Sequence, residues 1–199
     1  RCWKSVVKNH RLRANPSDLF WSNEMANTNS SLITTLDSTD GSNQFIEPQA
    51  TGGRVRIASG FVEVTGTDFD ADNDTVVLCR LPANAVIKEL RIASDDQDTG
   101  TQSILNLGVY PAGGTTATAA IDEDCYGTAF TDFRAATDFT DYRHETLDIN
   151  TIGQKIWQDA GVTSDPGPTL YDLVLTQTAT VSSPQTAFTI AFKILYVID

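Results

Sequence analysis

From Ala187 onward, apolar and polar positions alternate without a break. Phe188, Ile190, Phe192, Ile194, Tyr196 and Ile198 share one side of an extended strand, while Ala187, Thr189, Ala191 and Lys193 share the other. Side chains of a strand point to opposite faces with period two, so this pattern predicts a strand over 186–198 that closes an all-β core. Shorter runs predict strands over Thr75–Leu81, Val86–Ala93, Ser103–Tyr110 and Leu170–Thr176. Turn residues separate them: Leu81-Pro82-Ala83-Asn84-Ala85, then Asp95-Asp96-Gln97-Asp98-Thr99-Gly100, then Ser182-Ser183-Pro184. Many short strands joined by polar turns predict an all-β fold, an antiparallel β-sandwich or jelly roll.

Two stretches break the pattern. Apolar residues are odd-numbered in Arg54-Val55-Arg56-Ile57 but even-numbered at Val62 and Val64, with Ser59-Gly60 between them. That change of phase predicts a β-bulge. Residues 111–165 lose the alternation, and Ile152 and Ile156 stand four apart beside Trp157. This predicts a long excursion between strands that holds one or two short helices. Upstream, Asn27–Gly53 is rich in Ser, Thr, Asn, Asp and Gly. The domain organisation expected is therefore an N-terminal arm or linker over 1–52 and a β-sandwich domain over 53–199.

A chain of 199 residues with 40% hydrophobic content suffices for one β domain plus an arm. No run approaches the roughly 20 apolar residues that span a bilayer, and Arg1-Cys2-Trp3-Lys4 lacks the apolar core of a secretory signal. A soluble protein without membrane partners is expected. Cys2, Cys79 and Cys125 are odd in number and follow no metal-ligand spacing, which favours assembly in a reducing cytoplasm. Cys79, inside an apolar run, is expected to be a small buried hydrophobe.

Charge changes the picture more. The net charge is −12, and an acidic surface cannot gain the counterion release that drives nucleic-acid binding. It is also uneven: Arg1, Lys4, Lys8, Arg11 and Arg13 face only Asp18 and Glu24 in residues 1–24, a net +3 that leaves −15 for the rest. Met25 opens a stretch that looks like an ordinary protein start, so residues 1–24 are open to three readings. They are an upstream extension, an integral strand, or a basic arm laid on an acidic partner through Trp3, Arg11, Arg13, Phe20 and Trp21.

Candidate chemistry is sparse. Asp68, Asp70, Asp72 and Asp74 place oxygen ligands at alternate positions, as in the first half of a calcium loop, but Asn73 stands where the turn glycine belongs and no glutamate follows at the twelfth position. Calcium is the one cofactor considered, and an acidic hairpin loop that keeps a sheet end solvated is the competing reading. Asp95, Asp96 and Asp98 form a second acidic turn, and Asp122, Glu123 and Asp124 a third. With 26 acidic residues, such neighbours follow from composition and are weak evidence for glycoside hydrolysis. His144, between Arg143 and Glu145, has no nucleophile motif around it, and Phe130, Phe133, Phe139 and Tyr142 could line a sugar site or simply pack. A non-enzyme is expected.

The ordered set Arg54-Val55-Arg56-Ile57-Ala58, Val76 through Ile87 with its leucine-proline turn, Leu105-Asn106-Leu107-Gly108-Val109-Tyr110 and Ile194 through Asp199 resembles tailed-bacteriophage head decoration, or cement, proteins. The likeness covers roughly 53–110 and 170–199. It implies a β-sandwich on the outer surface of a virion, assembled in the host cytoplasm, with the major capsid protein as partner and a homotrimer as the oligomer. The alternative is a tail-fibre or head-fibre tip that binds host-surface carbohydrate, for which a β-sandwich with exposed aromatics also serves.

Overall fold

The computed structural model describes residues 27–29, 54–98, 100–114, 119–143, 151 and 153–198. Among the described residues, nine strands form two sheets. They are β1 (Asn27–Asn29), β2 (Arg54–Thr65), β3 (Thr75–Pro82), β4 (Val86–Ser94), β5 (Leu105–Pro111), β6 (Asp122–Phe130), β7 (Thr137–Asp141), β8 (Leu170–Gln177) and β9 (Ala187–Ile198). One sheet has the order β2-β9-β4-β7 and the other β1-β3-β8-β5-β6. From β2 onward the chain changes sheet at every step except β5 to β6, and the facing orders β2-β9-β4-β7 and β3-β8-β5-β6 are those of an eight-stranded jelly roll. β1 adds in parallel along β3, with Asn27 opposite Thr75.

The strand expected from the strongest alternation is β9, and it lies between β2 and β4. Phe188, Ile190, Phe192, Ile194 and Tyr196 are all buried, facing Leu78, Leu81, Leu107 and Leu175 in one continuous core. β3 and β8 are buried along nearly their whole length, because Val77, Tyr110 and Val174 form a second apolar cluster on the outer side of their sheet.

Two expectations need correction. No bulge interrupts β2 at Ser59-Gly60, since the strand pairs with β9 in unbroken register from Arg54 opposite Ile198 to Thr65 opposite Ala187. The even-numbered Ala58, Val62 and Val64 face the core, and the odd-numbered Val55, Ile57 and Phe61 face outward. The phase change therefore marks an apolar outer surface. The excursion over 111–165 also holds more than helix, because it supplies β6 and β7, the outermost strands of the two sheets. Both are polar and irregular in register, as edge strands can be, so neither shows clean alternation. Within this stretch lie a 3-10 turn, Asp132–Arg134, and one helical turn, α1 (Ile156–Asp159), with Ile156 buried. Ile152 lies outside the described residues.

The leucine-proline turn has a physical reason. Ala85 N–H closes on Pro82 O at 2.9 Å, and the carbonyls of Ala85 and Ala83 accept the first amides of α1, from Ile156 and Trp157, at 2.9 and 3.2 Å. Ala83 and Ala85 are fully buried at this seam, so small residues are required there.

A candidate interaction face

The four loops β2–β3, β4–β5, β6–β7 and β8–β9 meet at one end of the sandwich. Two acidic turns belong to this end. In the first, Asp74 accepts the Ala71 amide at 2.9 Å, Asn73 takes a positive φ of 71°, and Thr65 Oγ1 donates to Asp68. Asn tolerates that left-handed conformation, so it stands in for the expected glycine. Val181 N–H donates to Asp70 O at 2.7 Å, which ties the turn to the β8–β9 loop. Asp74 is buried and Asp72 exposed, and among the described residues no three His, Cys, Asp or Glu side chains gather as a metal ion needs.

The second acidic turn is a loop organiser. Asp98 is buried and accepts amides from Gly100 at 2.7 Å, Gln102 at 2.6 Å and Ser103 at 3.1 Å. Burial works against its charge, yet these amides, with the Arg134 charge, hold its carboxyl below the usual range. Beside it Gln97, Ser103 and Gln177 form a buried amide–hydroxyl network: Ser103 Oγ donates to Gln97 Oε1 at 2.7 Å and Gln97 Nε2 to Gln177 Oε1 at 3.1 Å. The Asp98 carboxylate is thus spent within the fold, while Asp95 of the same turn is exposed.

The third acidic run is no turn, since Asp122, Glu123 and Asp124 open β6. Burial raises Asp122, and the adjacent Asp124 carboxylate adds to that. At this opposite end Arg143 and Asp159 form a buried ion pair at 3.3 Å. Tyr126 donates to Asp159 at 2.8 Å, and Arg143 donates to the carbonyls of Ile87 and Thr151 at 3.3 and 3.2 Å. Burial pushes Asp159 up to about 6, against the opposing pull of Tyr126 and Arg143. Enclosed side chains of this kind fasten α1 and β6 to β4. Phe130, Phe133 and Tyr142 stack together, with ring centroids at 5.6 and 4.9 Å from Phe130, as a packed cluster from which Phe139 stands apart. The arm residues Trp3, Arg11, Arg13, Phe20 and Trp21, and His144, lie outside the described residues.

The surface that chemistry-first reading misses is the outer side of β2-β9-β4-β7. Val55, Ile57 and Phe61 on β2 are 62%, 60% and 57% exposed, and Phe139 on β7 is 50% exposed. The register sets Val55 beside Val197 and Ile57 beside Leu195, with Glu89 next across the sheet on β4. Lys193 and Arg91 pair at mid-sheet, where Arg91 meets Glu89 at 2.5 Å. Toward the loop end Phe61, Ala191 and Ala93 follow one another across three strands. There an open groove of about 500 Å³ runs over Ala93, Ala136, Thr189 and Ala191, with Asp95 and Asp138 in its lining. The other sheet buries its outer Val77, Tyr110 and Val174 and leaves Leu170 exposed at one end, so among the described residues the larger run of exposed apolar side chains is on this face. The phase change in β2 was its only signal in the sequence.

Comparison with known proteins gives no match to any family model and none to the curated proteins searched. Solved structures do match in fold. A chain from "Capsid of Ralstonia phage GP4" overlays with a TM-score of 0.60 at 18% identity, over 87% of this chain and 99% of that one. A chain from "Cyanophage Pam1 capsid asymmetric unit" gives a TM-score of 0.45 at 20% identity, over 82% and 99%.

Proposed function

We propose that this protein is a structural subunit of a tailed-phage head, a decoration or cement protein held on the outside of the major capsid protein lattice. The observation that carries the reading is the fold overlay, which takes in nearly the whole of a chain from a phage capsid. The acidic body supports an outer position, since a −15 surface gains nothing from packaged DNA. A jelly roll whose buried Asp98 and Asp159 are held by partners within the fold suits a protein whose work is to bury surface.

In this reading the apolar half of the exposed face, Val55 and Ile57 with Leu195 and Val197 beside them, is what the lattice covers. Burying one such side chain yields about 1.5–3 kcal/mol, so a few repeated at each lattice position stabilise the shell. A ligand that favours the intact lattice adds RT ln(1 + [L]/Kd), about 2.7 kcal/mol at a hundredfold excess. The assembly is a homotrimer, matched to the threefold positions of an icosahedral lattice.

Purified protein added to undecorated expanded heads tests this. The expected outcome is binding at a stoichiometry comparable to the capsid subunits, with a raised disruption temperature. The double variant V55D/I57D should bind weakly while keeping its own Tm. Saturation at a few copies per particle, or labelling at the tail, would instead favour the fibre tip.

A further inference from the structure

We propose that the groove at the loop end of the exposed face binds an extended segment of a partner protein, one that carries an aromatic side chain between basic ones. The site is separate from the apolar half of the same sheet and does not depend on attachment to a capsid.

Four neighbouring strands build it. Phe61 on β2 stands opposite Ala191 on β9, and Ala191 opposite Ala93 on β4. At the outermost strand the register slips between Ile92 and Ser94, so two residues of β7, Asp138 and Phe139, lie against Ala93 alone. A bulge of this kind re-aims side chains. Thr140 lies opposite the core-facing Ile92, which puts Phe139 on the outer side, and Asp138 and Phe139 are both exposed. The result is a groove of about 500 Å³ floored by Ala93, Ala136 and Ala191, with exposed phenyl rings on the strands at either side. Three strand spacings lie between β2 and β7, roughly 14 Å, whereas one extended chain takes up about 5 Å.

Charge selects the occupant. Asp95 and Asp138 line the groove, and Glu63, opposite the groove residue Thr189, is exposed on the same outer face. Among the described residues no cation pairs with any of the three, whereas Glu89 at mid-sheet is taken up by Arg91. Unneutralised carboxylates repel anions and draw in Lys or Arg side chains, and the phenyl faces add cation–π attraction and apolar contact for an aromatic group. A neutral sugar could stack on the same rings, but covering the carboxylates with it would leave charges desolvated and unpaired.

NMR titration of the isotope-labelled full chain with the peptide acetyl-Arg-Ala-Trp-Ala-Arg-amide tests the site. At about 0.1 M salt the amides of Ala93, Asp138, Thr189 and Ala191 should shift together, with a Kd on the order of 1 mM or below. Raising salt to about 1 M shortens the screening length from about 10 Å to 3 Å and should weaken binding at least about fivefold. The variant D95N/D138N, isosteric and exposed, should keep its Tm and bind about fivefold more weakly, as the loss of two exposed ion pairs predicts. F61A/F139A should weaken binding by a similar factor while leaving its salt dependence in place. The sign-reversed peptide acetyl-Glu-Ala-Trp-Ala-Glu-amide should not bind. Shifts scattered over other exposed carboxylates, such as Asp72 and Asp165, overturn the proposal by showing attraction to net charge alone. Undiminished binding by D95N/D138N overturns it, as does the absence of any shift up to about 10 mM peptide. A saturable shift of the groove amides by maltotetraose, with none by the basic peptide, overturns it by assigning the groove to sugar.

Discussion

Gly108 illustrates how a residue legible only as part of a motif acquires a cause. A Cβ at this position would lie 2.1 Å from the backbone carbon of Glu123 and 2.2 Å from Asp122 O, so β6 crosses β5 at a distance that only glycine permits. The next residues pack hard: Val109 and Tyr110 are fully buried, and the Tyr110 and Thr176 hydroxyls meet at 2.7 Å. Gly108→Ala must push backbone apart, and we expect a loss of at least about 2–3 kcal/mol, read as a lower midpoint in urea unfolding. Phe192→Ala removes a ring buried at mid-strand in β9 and should cost about 3–5 kcal/mol by the same assay. Alternation alone exposed the second of these sites. The first depends on a crossing partner, Asp122-Glu123, whose strand has no alternation to announce it.

At the scale of elements, legibility followed burial on one face. β9, β3, β4, β5 and β8 were readable within a residue or two, because each presents a steady apolar pattern to the core. β6 and β7 were not, since an edge strand needs only one partner and carries polar residues. β2 was readable as a strand but misread in shape, because apolar side chains on both of its faces look like a slipped register. The outer face, and with it the candidate site, was thus visible in the sequence only as an apparent fault. The clasp that holds α1 to the sandwich gives an element-scale prediction. Burial raises Asp159 to about 6 from an unfolded value near 3.9, so the folded state binds the extra proton between these limits. The stabilisation this proton brings is fully present below about pH 4 and is lost as pH rises through about 6. Asp159→Asn cannot titrate, so the Tm of the wild type minus that of the variant should fall steadily from pH 4 to pH 7. Asp98 works in the opposite direction. Its depressed carboxyl adds stability that is present above the unfolded value and is lost as pH falls through the folded one, so Asp98→Asn should lower Tm most near neutral pH and least at the lowest pH.

For the whole molecule, charge and apolar surface are placed apart. The loop end gathers carboxylates while the far half of the β2-β9-β4-β7 face is apolar, so two different contacts are available on one sheet. If the apolar half meets the capsid lattice, attachment should tolerate salt, because buried apolar area is not screened. The occupancy of expanded heads should then change little between about 0.1 M and 1 M salt, while V55D/I57D lowers it at both. A strong loss of binding with salt would mean that the charged end makes the contact. Composition had indicated an acidic body, but which part of it is free of charge depends on pairing between strands far apart in sequence.

The central position of β9 also has a consequence in time. β2 is made early, yet its partner in the sheet is β9, so it cannot join until β9 is present, and Arg54 must wait for Ile198. Closing so long a stretch of chain before the β2–β9 ladder can form places this protein among slow, high-contact-order folders, on a scale of milliseconds to seconds. During that wait β2 is apolar on both sides and has no neighbour on either edge, which makes it the segment on which a nascent chain would find another nascent chain. Val55, Ile57 and Phe61, harmless on the finished fold, are thus a hazard to the unfinished one, and the rate at which β9 arrives decides how long that hazard lasts.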